Sequence, residues 1–131
     1  MKRTVLKLDT KPVVFTLIGI SSHENDYRLS WNINEYLELK FVQDNHIVTS
    51  AGNEFSCFVH EDEDQRLQLI SNRCDNGFLL GKYKNFDFIL KFNTELNETK
   101  IAAWLHDLRK VPLISAAFPI QVNKQMLQIF G

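Results

Sequence analysis

From Phe86 to Phe92 every second residue is apolar, so that Phe86, Phe88, Leu90 and Phe92 share one face of an extended chain and Asp87, Ile89 and Lys91 the other. This alternation predicts a strand with one wet face. Further on the period lengthens: Ile101, Trp104, Leu105 and Leu108 follow the i, i+3, i+4, i+7 spacing of an amphipathic helix over Asn97 to Arg109, with Asn97 as its cap and Pro112 beyond its end. A second helix is predicted from Asp26 to Leu37. There Leu29, Ile33 and Leu37 repeat every four residues, Tyr27 and Trp31 form an adjacent stripe, and the two together predict a wide buried face.

The remaining apolar runs are short and rich in β-branched or aromatic residues. Val13 to Ser21, Ile47 to Ser50, Phe55 to His60, Leu67 to Ser71, Phe78 to Leu80 and Leu113 to Ile120 all read as strands. Turn formers such as Ala51-Gly52-Asn53 and Asp75-Asn76-Gly77 separate the middle ones, which makes an antiparallel meander the economical arrangement. Residues 121–131 show no clear period and read as a loose tail. The sum is a single α+β domain, a mostly antiparallel sheet packed against two helices. Its length of 131 residues suits one core, and ten Phe and two Trp supply enough apolar volume to fill it without disulfides or a metal.

Charge narrows the function. Fifteen basic residues against sixteen acidic ones leave a net charge of −1, far from the basic excess that neutralising phosphates demands, so no nucleic-acid partner is expected. The basic opening Met1 to Lys11 is followed by an apolar run without a small-residue cleavage pattern, so no signal peptide is expected. Val111 to Ile120 is too short, and too rich in proline, to cross a bilayer. A cytoplasmic protein without membrane contact is the expectation, and in a reducing compartment Cys57 and Cys74 should be free thiols. Cys57 alternates with Phe55 and Val59 and reads as core filler.

Residues able to carry chemistry are few. His23, His46, His60 and His106 have neither the i, i+4 helical spacing nor a close Cys or His that a metal site needs, and no metal or other cofactor is expected. Five scattered glycines make no phosphate loop. The run Glu61-Asp62-Glu63-Asp64 lacks the alternating ligands and central glycine of a calcium loop and reads as a solvated hairpin tip. His23 lies at a strand-to-helix turn with Ser21, Ser22, Glu24 and Asp26, but the glycines that flank a nucleophilic serine in such turns are missing. Helix capping is the simpler reading.

Three segments in order, Leu17-Ile18-Gly19-Ile20-Ser21-Ser22, Asp26-Tyr27-Arg28-Leu29-Ser30-Trp31 with Asn34, and Leu69-Ile70-Ser71-Asn72-Arg73, resemble the IPExxxVDY family of small bacterial proteins. The resemblance spans about Lys7 to Ile120. At the positions of the signature stand Leu80, Gly81 and Lys82, then Phe86, Asp87 and Phe88. Asp87 alone is identical, and Gly81-Lys82 replaces the Pro-Glu pair. The resemblance implies a shared α+β fold and five recurring polar positions, Asp26, Arg28, Asn72, Arg73 and Asp87. With Lys82 in place of the glutamate, it implies no Glu/Asp acid–base pair.

Two functions follow as expectations. The first is a non-catalytic binding or regulatory module with a protein partner, since no catalytic constellation is legible. The second is a small-ligand binder or enzyme using His23, Asp26 and Arg28 together with Asn72 and Arg73, provided the two segments meet. Arg73 and Asp87 are also expected to form a structural ion pair between neighbouring strands. Labelling of the denatured, unreduced protein should find two reactive thiols; an intact mass two hydrogens lighter, with no reactive thiol, would show that Cys57 and Cys74 are bonded.

Overall fold

The computed structural model describes residues 15–130. Val13 and Val14 of the first predicted strand therefore lie outside the described residues. The elements run β1 (Thr16–Ser21), α1 (Asp26–Leu37), β2 (Val42–Val48), β3 (Glu54–Glu61), β4 (Arg66–Ser71), β5 (Arg73–Cys74), β6 (Gly77–Phe78), a 3-10 turn (Gly81–Tyr83), β7 (Phe88–Phe92), α2 (Glu98–Leu108), β8 (Ala116–Ile120) and α3 (Lys124–Phe130). Six strands form one sheet in the order β2-β3-β4-β7-β1-β8, antiparallel at every pairing, and β5 and β6 make a separate small ribbon. The α+β class and the β2-β3-β4 meander are as the sequence predicts.

Both sheet faces are covered. On one, Ile18, Ile20, Leu67, Leu69, Phe88, Leu90 and Phe92 meet Leu29 and Ile33 of α1 and Leu105 and Leu108 of α2. On the other, Leu17, Phe55, Cys57, Ile70, Ile89 and Ile120 meet Leu79, Leu80, Phe86 and Met126. Central β1 accordingly carries apolar residues in both directions, which is why its sequence runs without alternation. Helices α1 and α2 each start at an asparagine whose side-chain oxygen accepts an N–H three residues on, Asn25 from Arg28 and Asn97 from Lys100.

Four expectations need correction. The wet face of β7 is largely closed, with Ile89 fully buried and Lys91 half-buried, because residues 79–86 and α3 lie over it. Phe86 precedes the strand and turns to the side opposite Phe88, so the apparent alternation joins two different local conformations. Residues 121–131 are no loose tail up to Phe130: Asn123 Oδ1 accepts the Met126 N–H, and α3 buries Met126 with Leu127, Ile129 and Phe130 packed around the second core. Seven residues span too few turns for a period to be read. Tyr27 and Trp31 are exposed, 69% and 59%, because α1 turns Leu29, Ser30, Asn32 and Ile33 inward instead.

Strand β2 extends N-terminal to the predicted run, through Gln43, Asp44, Asn45 and His46, a polar stretch whose strand geometry comes from pairing with β3. Residues Leu79 and Leu80 leave the ribbon and enter the core.

Gly19 shows how tightly the second face is packed. A Cβ there would lie 2.2 Å from Cδ2 of the buried Phe86 ring. Gly19→Ala should therefore destabilise the protein by about 1–3 kcal/mol or more, the usual range for forcing volume into a filled core. Denaturant melts check this, and an unchanged midpoint would show that Phe86 moves aside freely.

Candidate functional site

The polar residues singled out in the sequence converge on the excursion from residue 72 to residue 87, which connects β4 to β7. Asn72 is fully buried, and its amide is consumed by main chain: Nδ2 donates to Tyr83 O at 3.0 Å and Phe86 O at 2.9 Å, while Oδ1 accepts from Leu80 N at 2.7 Å. Its own N–H donates to Asp87 O and its carbonyl accepts from Leu79 N. Asn72 thus folds the excursion and cannot face a ligand.

Asp87 occupies the far end of this excursion. Its N–H donates to Ile20 O, Oδ2 accepts the Ser22 N–H at 2.8 Å, and Oδ1 takes Nη2 of Arg73 at 2.7 Å. The expected Arg73–Asp87 pair is present, with Asp87 four-fifths buried and Arg73 more than half exposed. The Arg73 guanidinium also stands over the Phe78 ring, 5.5 Å from its centroid. Around this pair an open cleft of about 500 Å³ is lined by Ser22, His23, Glu24, Asn25 and Asp26 from the first turn and by Ser71, Arg73, Asp87 and Phe88 from the strands. The two segments named in the sequence do meet here, through His23, Asp26 and Arg73. Arg28 stands apart, exposed and paired with Glu24 at 3.2 Å.

The cleft offers little chemistry. Ser21 Oγ donates to Asn85 O and Ser22 Oγ accepts from Glu24 N, so both hydroxyls are engaged by main chain and neither forms a hydrogen bond with His23. Glu24, Asp26 and Asp87 set three carboxylates against Arg73, and Asp87 already holds that guanidinium. An anionic ligand would meet net negative charge.

The other chemistry-bearing residues are structural. His60 is buried; its Nδ1 accepts the Lys40 N–H, leaving Nε2 to donate to Asp62 at 3.2 Å. The Asp62 carboxyl lies below its ordinary range because the Asp64 N–H, His60 and the Gln65 N–H all donate to it. Burial pushes the Cys57 thiol up, against a smaller opposing effect of the Gln68 amide, and both cysteines are free. Among the described residues no group of three or more His, Cys, Asp or Glu is placed to hold a metal ion, and no helix is long and apolar enough to cross a membrane.

A second surface was concealed in the sequence by its resemblance to core. Tyr27 and Trp31 of α1, one helical turn apart, are both more than half exposed, whereas the exposed Tyr36 lies on the other side of the helix, beside Trp104 and Lys110. Between α1 and β2 runs a groove of about 510 Å³, with Tyr27, Ser30, Trp31 and Asn34 on the helix side, Val42 and Gln43 on the strand side, and the buried rings of Phe41 and Phe58 beneath. Asn34 fixes its width: Oδ1 accepts the Phe41 N–H at 2.8 Å and Nδ2 donates to Phe41 O at 3.1 Å. The signal available in the sequence was the polar company of these aromatics, Ser30, Asn34 and Gln43.

The two edges of the sheet differ. At β8, Ala117 O takes both Nε and Nη2 of Arg109, and two residues on Pro119 has no N–H to offer. At β2, Asn34 saturates Phe41, and the next outward main-chain groups, two residues on at Gln43, have no hydrogen-bond partner among the described residues. A bulge between Asp44 and Ile47 ends this open stretch.

No protein-family model matches the chain, and no curated protein matches it, so the likeness to the IPExxxVDY family rests on the quoted residues alone.

The two halves of the ion pair should respond unequally. Arg73→Ala removes an exposed partner and should cost about 0–1 kcal/mol. Asp87→Ala also strips the buried Ser22 N–H of its acceptor and should cost about 1–3 kcal/mol more. Equal losses in chemical denaturation would contradict this division.

Proposed function

We propose that the protein is a non-catalytic binding module whose partner docks on the face formed by α1 and the edge strand β2. The observation that carries this reading is the exposure of Tyr27 and Trp31, two large aromatic side chains one helical turn apart in water, beside a groove whose floor is made by the buried rings of Phe41 and Phe58. Tyr and Trp are the side chains that most often dominate binding energy at interfaces, because each buries a large rigid area and retains a polar handle. The groove beside them has a rigid floor, so it exists before a partner arrives and requires little reorganisation.

The alternative of a small-ligand site or enzyme at His23, Asp26 and Arg73 has weaker support. Its cleft is open, its arginine is already paired, and its serines are held by main chain. Membership of the IPExxxVDY family would sit with either reading, since the resemblance implies a fold and polar positions but no reaction.

A photo-crosslinking residue in place of Tyr27, in the cells that make the protein, should yield a discrete heavier adduct. The same residue in place of the exposed Lys100 at the start of α2 should not. No adduct at position 27, or equal adducts at both positions, would defeat the assignment of the face.

A further inference from the structure

Resting on that reading of the α1–β2 face, we propose that its partner is an extended peptide segment bearing arginine, which adds to the open edge of β2 at Gln43 and lays a guanidinium on the rings of Trp31 and Tyr27. Three independent features select this occupant.

The first is main-chain geometry. In an antiparallel ladder the N–H and C=O of one residue point together to one side, and consecutive residues alternate. The Asp62 N–H donates to Gln65 O at the β3–β4 turn, so the main chain of Phe58 is directed at β4 and that of Val59 and Cys57 at β2. Their partners Val42 and Asp44 therefore point inward, and Phe41 and Gln43 point outward. Asn34 confirms the parity by bonding both main-chain groups of Phe41. Its amide occupies the place of a neighbouring strand, so the next place along, at Gln43, is set for a real one. With β8 closed by Arg109 and Pro119, β2 is the edge left for strand addition. The bulge limits such pairing to a short stretch, so side chains must supply the remaining affinity.

The second feature is the pair of rings. Tyr27 and Trp31 are one helical turn apart on the exposed side of α1, and the faces of such rings attract cations, arginine above all. The third is charge. Around these rings α1 and its C-terminal cap present Asp26, Glu35 and Glu38, while Arg28 is held by Glu24 and Lys40 is the further cation nearby. The face is net acidic, and Asp26 lines the groove itself. A guanidinium over Trp31 has carboxylates within the same helix face to balance it; a carboxylate there would be repelled.

The probe is an acetylated, amidated heptapeptide alternating Val and Arg, titrated into the whole protein by calorimetry and followed by NMR at the Gln43 amide and the Trp31 indole. Binding is expected, with shifts at both groups, weakening as salt rises. Trp31→Ala and Gln43→Pro should each weaken it at least about tenfold. Because proline at position 43 could disturb the strand, the same peptide N-methylated at alternate residues is titrated into the unaltered protein, and one of its two methylation registers should lose binding. Failure of the arginine peptide to bind, equal binding of a peptide with Glu in place of Arg, or indifference to both N-methylation registers would each overturn the proposal. An adduct from position 27 alongside such a failure would leave the binding module standing with a different partner; loss of the adduct as well would remove both.

Discussion

A side-chain amide buried away from water must place all of its donors and acceptors on protein, or the loss is comparable to several hydrogen bonds. Asn72 does so by drawing Leu80, Tyr83 and Phe86 around itself, and the rest of the molecule follows from that closure. It turns Leu79, Leu80 and Phe86 onto the second sheet face. It sets Phe86 over Gly19, and it delivers Asp87 to the end of β1, where the carboxylate catches Ser22. The turn so fixed leads directly into Asn25, the cap of α1. The direction of α1, and with it the outward display of Tyr27 and Trp31, is thus tied to an asparagine more than forty positions away in the chain.

The elements legible in the sequence were those whose own residues decide their structure. Helix α2 has a cap, a period and a stop and formed where expected; β7 formed from the part of its alternation that begins at Phe88. What could not be read depended on neighbours. Ile89 looks half-exposed until α3 and residues 79–86 are known to lie above it. Gln43, Asp44, Asn45 and His46 have no strand signature of their own and are held extended by β3. On α1 the sequence offers two apolar stripes, Leu29/Ile33/Leu37 and Tyr27/Trp31, and nothing in their spacing says which one meets the sheet. The same ambiguity hid the candidate interface. For the polar positions the sequence brought the right segments together but could not separate roles: Arg73 and His23 face solvent at the cleft, whereas Asn72 is locked in the interior.

The two faces of the sheet also divide labour. The first face takes the long helices and most of the large aliphatic residues, as in any α+β layer. The second is closed by pieces too small to stand alone, a two-stranded ribbon, a 3-10 turn and a seven-residue helix, which hold their conformations through the polar contacts of Asn72 and the burial of Phe86 and Met126. Exposed aromatic rings are found instead on α1, as Tyr27 and Trp31, and at the β8 edge, as Phe118.

The position of β1 between β7 and β8 has a consequence during biosynthesis. This strand is made before either of its neighbours, whose residues begin at Phe88 and Ala116, while β2, β3 and β4 find one another locally soon after they are made. On the ribosome the Thr16–Ile20 segment, apolar in both directions, therefore waits with no strand to pair with until most of the chain has been translated. Of the described strands it is the one most exposed to chance association in that interval. The yield of native protein in a cell should be governed less by the stability of the finished sheet than by how long translation leaves this strand alone.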